Sequence, residues 1–313
     1  MKPRSTDTPI ADADLSKIDA RAVRTPRAPR WLPLAPWLFV ALWGGGYAPV
    51  KIGLMYSEPL FFLVLRYACV LALLVPAYFV VRPPLPKTGR AWLHLAIVGA
   101  LIQGAYFVLT NFAIGLGASA AGLGIVLALQ PILVALIMPR VTGEGVSRRA
   151  WIGLALGLIG AVIVISSKAS ANNVTLFGVV TAFAGLLFIT AGTVWEKRFG
   201  SSQHPIVASI VQCGVAGLIA LALALPLETL QVQWTWPFAI SLGYLVIGNS
   251  IVAMTLLLAM VRYGQATRAS ALLFLVPPCS AGFAWLLLDE PFPLLALVGM
   301  VAAGTGVWLV RGA

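Results

Sequence analysis

Residues 266–310, ATRASALLFLVPPCSAGFAWLLLDEPFPLLALVGMVAAGTGVWLV, repeat residues 120–164, AAGLGIVLALQPILVALIMPRVTGEGVSRRAWIGLALGLIGAVIV, at a constant offset. With no gap, Pro131 falls on Pro277, Glu144 on Glu290, Gly153 on Gly299 and Gly160 on Gly306, each 146 residues apart (277 − 131). Ala120/Ala266, Leu127/Leu273, Leu129/Leu275 and Ala135/Ala281 align as well. Alanines and leucines match easily in an apolar chain; a proline, an acid and two glycines in one register do not. The same offset carries Lys51 to Lys197, Pro59 to Pro205 and Ala113 to Ala259, so the chain reads as two copies of one unit.

Composition names the solvent of those copies. Of 313 residues, 60% are hydrophobic and 10% charged, with a mean hydropathy of +0.95. A soluble domain carries about 25% charged residues, so this much apolar surface points to a lipid bilayer. The net charge of +11 would suggest nucleic acid in a soluble protein. Here it sits in the tail and short loops, where a membrane protein keeps it, so no nucleic-acid partner is expected. Cys69, Cys213 and Cys279 lie in apolar stretches at no metal spacing. They read as small packing residues and exclude a disulfide framework.

Residues 1–30 have no apolar period and read as a disordered basic tail. Apolar runs of bilayer-crossing length follow near 32–50, 59–81, 91–114, 118–139, 150–167, 176–196, 205–227, 237–261, 267–288 and 292–311. The expected fold is therefore an all-α integral membrane protein of ten transmembrane helices, with repeats at 31–167 and 173–311. An N-terminus in the cytoplasm puts 18 of the 21 basic residues on the inner side, the tail's seven included. Lys51 and Lys168 fall outside and Arg66 falls within a helix. The positive-inside rule thus places both termini in the cytoplasm, and a plasma (inner) membrane is the expected location. A unit of five helices ends on the side opposite its start, so its copy is inverted. Secondary transporters use that arrangement for alternating access around a midplane site.

Leu42-Trp43-Gly44 through Lys51, then Pro59 and Leu65-Arg66-Tyr67, resemble the start of an EamA-type unit, from the ten-helix branch of the drug/metabolite transporter superfamily. Gly143-Glu144 and Asp289-Glu290-Pro291, each before a glycine-spaced helix, resemble its end. The resemblance covers about residues 32–311. It implies a membrane carrier moving small metabolites, often amino acids or related compounds, outward. The second copy departs at Ile189-Thr190, opposite Trp43-Gly44, and at Gln212, opposite Arg66.

Polar groups inside the spans are the candidate substrate-binding residues, since each is costly in hydrocarbon unless it meets a cavity or a partner. Gln103, Tyr106 and Thr110 share one face at α-helical spacing, with Asn111 beside them, and the repeat sends Gln103 to Asn249. Lining a cavity and tying helices together are both open readings of the two amides. Arg66, about 10 Å into its helix from Pro59, could grip a substrate carboxylate or pin helix ends through backbone carbonyls. Its counterpart Gln212 keeps polarity without charge. Trp43 and Tyr47 could wall a pocket on a first helix weakened by Gly44, Gly45, Gly46 and Pro49, either for a hinge or for close packing. Gln130 precedes Pro131, which with Pro277 is expected to kink its helix.

The glycines of residues 153–160, echoed at 299–306, read as a packing seam. Glu144 and Glu290 suit the positive ends of the helices they precede. The ten acids lie in the tail, the loops or at helix ends, and His94 and His204 lie away from the midplane. No obligatory proton coupling is therefore expected, and no nucleotide loop or hydrolase motif is present. No cofactor and no metal are expected. The sequence thus reads as a secondary transporter, not an enzyme, that rocks two inverted five-helix lobes around a central, mainly apolar cavity. The expected partners are a small amphipathic substrate and the lipid bilayer, with homo-oligomers left open. The rival reading is a non-transporting membrane scaffold or enzyme.

Overall fold

The computed structural model describes residues 31–115, 126–142, 145–168, 176–199, 203–262, 272–288 and 294–311. Its helices are α1 (Ala35–Gly44), α2 (Tyr47–Gly53), α3 (Pro59–Val81), α4 (Gly89–Val98), α5 (Phe107–Gly115), α6 (Gln130–Thr142), α7 (Arg148–Lys168), α8 (Leu176–Phe199), α9 (Pro205–Leu227), α10 (Trp236–Gly243), α11 (Met254–Arg262), α12 (Val276–Leu288) and α13 (Leu294–Arg311). A π-helical segment, Gly99–Tyr106, joins α4 to α5, and a second, Tyr244–Ala253, joins α10 to α11. No strand occurs among the described residues beyond an isolated bridge between Ser57 and Val232.

Among the described residues, four stretches are long and apolar enough to cross a membrane: Pro59–Val81, Gly89–Asn111, Pro205–Leu227 and Trp236–Leu257. Proline at the first helical position starts α3 and α9, where its missing N–H has no helical partner to lose. Thr88 and Thr235 accept bonds from Ala91 N and Phe238 N at 3.3 Å and so start α4 and α10. Ile152, Ile159, Leu218, Leu225, Ile247 and Val301 are exposed around the bundle, a surface suited to hydrocarbon.

The repeat is visible in the elements themselves. Shifting α3 by 146 gives α9 at both ends (59 + 146 = 205, 81 + 146 = 227), and α6 gives α12 in the same way (130 + 146 = 276, 142 + 146 = 288). The first π segment shifts to 245–252, inside the second. Packing, however, crosses between the copies. α1 and α2 lie against α10 to α12 and the second π segment, whereas α8 lies against α4 to α6 and the first. α3 pairs with α9, and α7 with α13. The five-helix lobe expected from the sequence is thus not a packing unit, because each copy lends its first helix to the other.

Glycine makes the α7–α13 pair possible. A Cβ on Gly160 would stand 2.3 Å from Ala303 N, and one on Gly306 2.5 Å from Gly157 N. At that separation neither glycine has room for a methyl group. The glycines of the first helix serve the same end, since a Cβ on Gly46 would stand 2.4 Å from Asn249 Nδ2. Close packing, the second of the two readings, is what these residues meet.

Pro131 and Pro277 occupy the second position of α6 and α12, preceded by a turn at 128–129 and by a 3₁₀ turn at Leu272–Leu275. They begin new helices after a break instead of bending continuous ones. Cys69, Cys213 and Cys279 are free thiols packed among apolar neighbours. Glu144, Glu290, residues 116–119 at the join of the third and fourth apolar runs, and the tail lie outside the described residues.

At one end of the bundle, two acids exchange helix caps. Glu58 precedes α3 but sends its carboxylate to Thr229 N (2.8 Å), Thr229 Oγ1 (3.0 Å) and Leu230 N (3.1 Å) beyond α9. Glu228, just past α9, accepts from Leu60 N (2.8 Å) and Phe61 N (2.7 Å) in the first turn of α3.

Candidate functional site

The candidate site forms where α3 lies against the second π segment and reaches the first through Tyr67. Arg66, on α3, is 4% exposed and does not snorkel. Its Nε donates to Ser250 Oγ at 3.0 Å, and its guanidinium carbon stands 5.0 Å from the centre of the Phe107 ring. Ser250 Oγ donates in turn to Leu245 O at 3.0 Å. That carbonyl is five residues back, the spacing of a π turn. On the other side Tyr67 Oη donates to the backbone carbonyl of Gln103, in the first π segment. Adjacent residues of α3 therefore hold one π segment each.

No carboxylate among the described residues pairs with Arg66. A buried cation without a counter-charge costs several kcal/mol, and a ring face returns roughly 2 kcal/mol. The site therefore favours an anionic group. Unmet demand of the opposite kind lies on the two π segments and α5. Gln103 Oε1, Asn249 Oδ1 and Asn111 Oδ1 are buried acceptors with no partner. Such acceptors favour a ligand that carries hydrogen-bond donors. Gln103 and Asn249, related by the repeat (103 + 146 = 249), both sit in π segments, as symmetry requires.

The other candidates divide. Tyr106 rests on Phe107 with ring centres 4.9 Å apart. Asn111 Nδ2 donates to Phe107 O at 2.9 Å, leaving its oxygen unmet. Thr110 Oγ1 is spent on its own helix, bonding Tyr106 O at 2.9 Å. Gln103 lies within the π segment that ends at Tyr106, so it does not keep α-helical spacing with Tyr106 and Thr110, which both face Gly185. Gln130 Nε2 reaches Thr193 Oγ1 at 3.4 Å, a tie between α6 and α8. Gln212 is buried with its backbone against Gly99, whose Cβ would stand 2.7 Å from Gln212 Cα. Trp43 packs against Phe39 in the core, with ring centres 5.5 Å apart. Tyr47 begins α2, half-buried.

Ser250, Phe107 and the bonding role of Tyr67 were not singled out by the sequence. Ser250 follows Asn249 directly, and Tyr67 follows Arg66. Neighbours of the chosen polar residues were the available signal.

Comparison with known proteins shows the family of the chain. The EamA-like transporter family matches residues 32–166 and 176–312. This chain belongs to the EamA-like transporter family. An uncharacterized transporter of Bacillus subtilis, YvbV, is 28% identical to this EamA-like protein over 278 residues, spanning 87% of this chain and 88% of its own. A probable amino-acid metabolite efflux pump of Escherichia coli is 28% identical over 284 residues, spanning 87% and 92%. A solved crystal structure shares the fold with a TM-score of 0.72 at 18% identity, over 89% of this chain and 95% of that one. The chain is thus a multi-pass membrane protein of a transporter family and not an enzyme; a small-molecule substrate and membrane lipid are its partners.

Proposed function

We propose that this EamA-like protein exports small amphipathic metabolites bearing a carboxylate, amino acids and their analogues foremost, by alternating access. One observation carries the reading: the Arg66 guanidinium is buried with no counter-ion among the described residues. A substrate carboxylate supplies the missing charge. A substrate ammonium can donate to the unmet oxygens of Gln103, Asn249 and Asn111. The name of the Escherichia coli relative supports the same substrate class and the outward direction.

In this reading the carrier has ten spans in two inverted repeats, 31–167 and 173–311, behind a cytoplasmic tail at 1–30, and both termini are cytoplasmic. The moving units follow the packing. α1 and α2 travel with α10 to α12, and α8 with α4 to α6, past the α3–α9 pair. Proton coupling is not obligatory, since no described carboxylate lies mid-span; Glu196, near the end of α8, is the acid nearest to that position.

The test is counterflow in proteoliposomes with a panel of amino acids, their decarboxylated amines and their carboxamides, first at equal pH and then with an imposed gradient. The expected result is flux of free acids at equal pH, with no uphill accumulation driven by the gradient. Equal flux of amines and acids would overturn the carboxylate reading. Gradient-driven accumulation abolished by Glu196→Gln would overturn the uncoupled one.

A further inference from the structure

We infer that Ser250 is the positioning residue of the substrate site: it fixes the Arg66 guanidinium so that a carboxylate is gripped end-on, by the two Nη nitrogens. The inference rests on the proposed role of Arg66 in binding a carboxylate.

The donors of Arg66 set the geometry. A guanidinium has five N–H groups in a rigid plane and no acceptor. The Nε–H is committed to Ser250 Oγ at 3.0 Å. The Phe107 ring lies beside the guanidinium, with its centre 5.0 Å from the guanidinium carbon. Among the described residues Arg66 makes no other bond, so its four Nη–H groups are the fork left for a ligand. A carboxylate matches such a fork with two parallel hydrogen bonds. The alternative side-on grip uses Nε and one Nη, and would first have to break the Ser250 bond.

Ser250 can hold this position because its own hydroxyl is oriented. It gives its proton to Leu245 O at 3.0 Å, which turns a lone pair toward Arg66. A serine with a free rotor would offer either end. The carbonyl it uses lies five residues back in the second π segment, so the wide turn and the serine orientation support each other. The arrangement is one-sided. In the register of the repeat, Ser250 corresponds to Gly104 (104 + 146 = 250) and Arg66 to Gln212 (66 + 146 = 212). Hydroxyl and guanidinium thus come as a pair, one from each copy, and their counterparts have neither.

Ser250 never touches the substrate in this account, so its loss must act through Arg66 alone. The experiment measures equilibrium binding to the full-length chain in nanodiscs. The probes are L-leucine, L-phenylalanine and L-threonine, each beside its carboxamide. Ser250→Ala is expected to weaken the free acids roughly tenfold, the size of one lost charge-assisted bond, and to leave the carboxamides within twofold. Ser250→Thr should restore the acids, and Ser250→Ala should add nothing in an Arg66→Gln background. If Ser250→Ala fails to fold, Ser250→Gly, which copies Gly104, carries the same comparison.

Equal weakening of acids and carboxamides would overturn the inference, as would additive effects of the two substitutions. Loss of acid binding in Arg66→Gln with none in Ser250→Ala would remove Ser250 and leave the carboxylate reading standing. An unchanged acid affinity in Arg66→Gln, or no acid binding to the wild-type chain, would overturn both.

Discussion

Glu58 and Glu228 each cap the helix junction that the other belongs to. Glu58 is the N-cap residue of α3, yet its carboxylate serves Thr229 and Leu230, while Glu228 reaches back to Leu60 and Phe61. The first-turn amides of α3 are thereby satisfied from the end of α9, and the helices that present Arg66 and Gln212 are locked together at one end. Glu228→Ala should lower stability by about 0.5–2 kcal/mol, the usual cost of a lost cap. Glu58→Ala should fall in the same range. Thermal unfolding in detergent measures both, and the double variant should lose less than the sum, because each acid holds the segment that presents the other. Additive losses would mean that the caps act independently.

The same junction gives a pH dependence. Burial pushes the Glu228 carboxyl above its ordinary 4.5; bonds from Leu60 and Phe61 oppose the shift, and the neighbouring Glu58 adds to it. The folded chain therefore holds this proton more tightly than the unfolded chain does. Its contribution to stability is complete below the ordinary value and is lost as pH rises through the raised one. Glu228→Gln cannot lose a proton, so the melting temperature of the wild type should fall relative to that variant as pH rises from about 4.5 to about 7. A constant gap, or one that narrows, would contradict the assignment.

The α7–α13 seam separates glycines that packing needs from those it does not. Gly160→Ala places a methyl against the backbone of Ala303 and Gly299, which cannot yield as a side chain does. It should destabilise by about 1–3 kcal/mol. Gly304→Ala, on the same helix as Gly306, meets nothing within 4 Å and should not lower the melting temperature. Similar losses at the two positions would show that helix contact is not what the seam glycines provide.

Orientation is tested by labelling single cysteines from the outer face after Cys69, Cys213 and Cys279 are replaced. A cysteine at Lys51 should react and one at Lys87 should not, as the distribution of basic residues requires. The reverse pattern would invert the proposed topology.

The sequence displayed the repeat and its register because Pro59/Pro205 and Pro131/Pro277 mark helix starts, which prolines do for steric reasons that survive divergence. It also displayed Arg66, Gln103 and Asn249, since polar groups stand out in apolar runs. It did not display the π segments. A wide turn costs little in the residue pattern, and the side chains that support it, Tyr67 and Ser250, look like ordinary neighbours. The exchange of first helices between the copies was hidden as well. Periodicity says which face is apolar and not which helix covers it. Gly44, Gly45 and Gly46, seated against Cys279, Tyr244 and Asn249, were a local sign of that partner.

The central claim, that the buried Arg66 guanidinium receives the carboxylate of the substrate, is tested most directly by transport of matched acid and carboxamide pairs in proteoliposomes. The wild type should prefer the free acid, and Arg66→Gln, which copies Gln212, should lose most of that preference. The lost charge-assisted bond corresponds to about 1.5–3 kcal/mol, roughly ten- to a hundred-fold in the ratio. A folded Arg66→Gln carrier that keeps the acid-over-carboxamide ratio of the wild type would contradict the account.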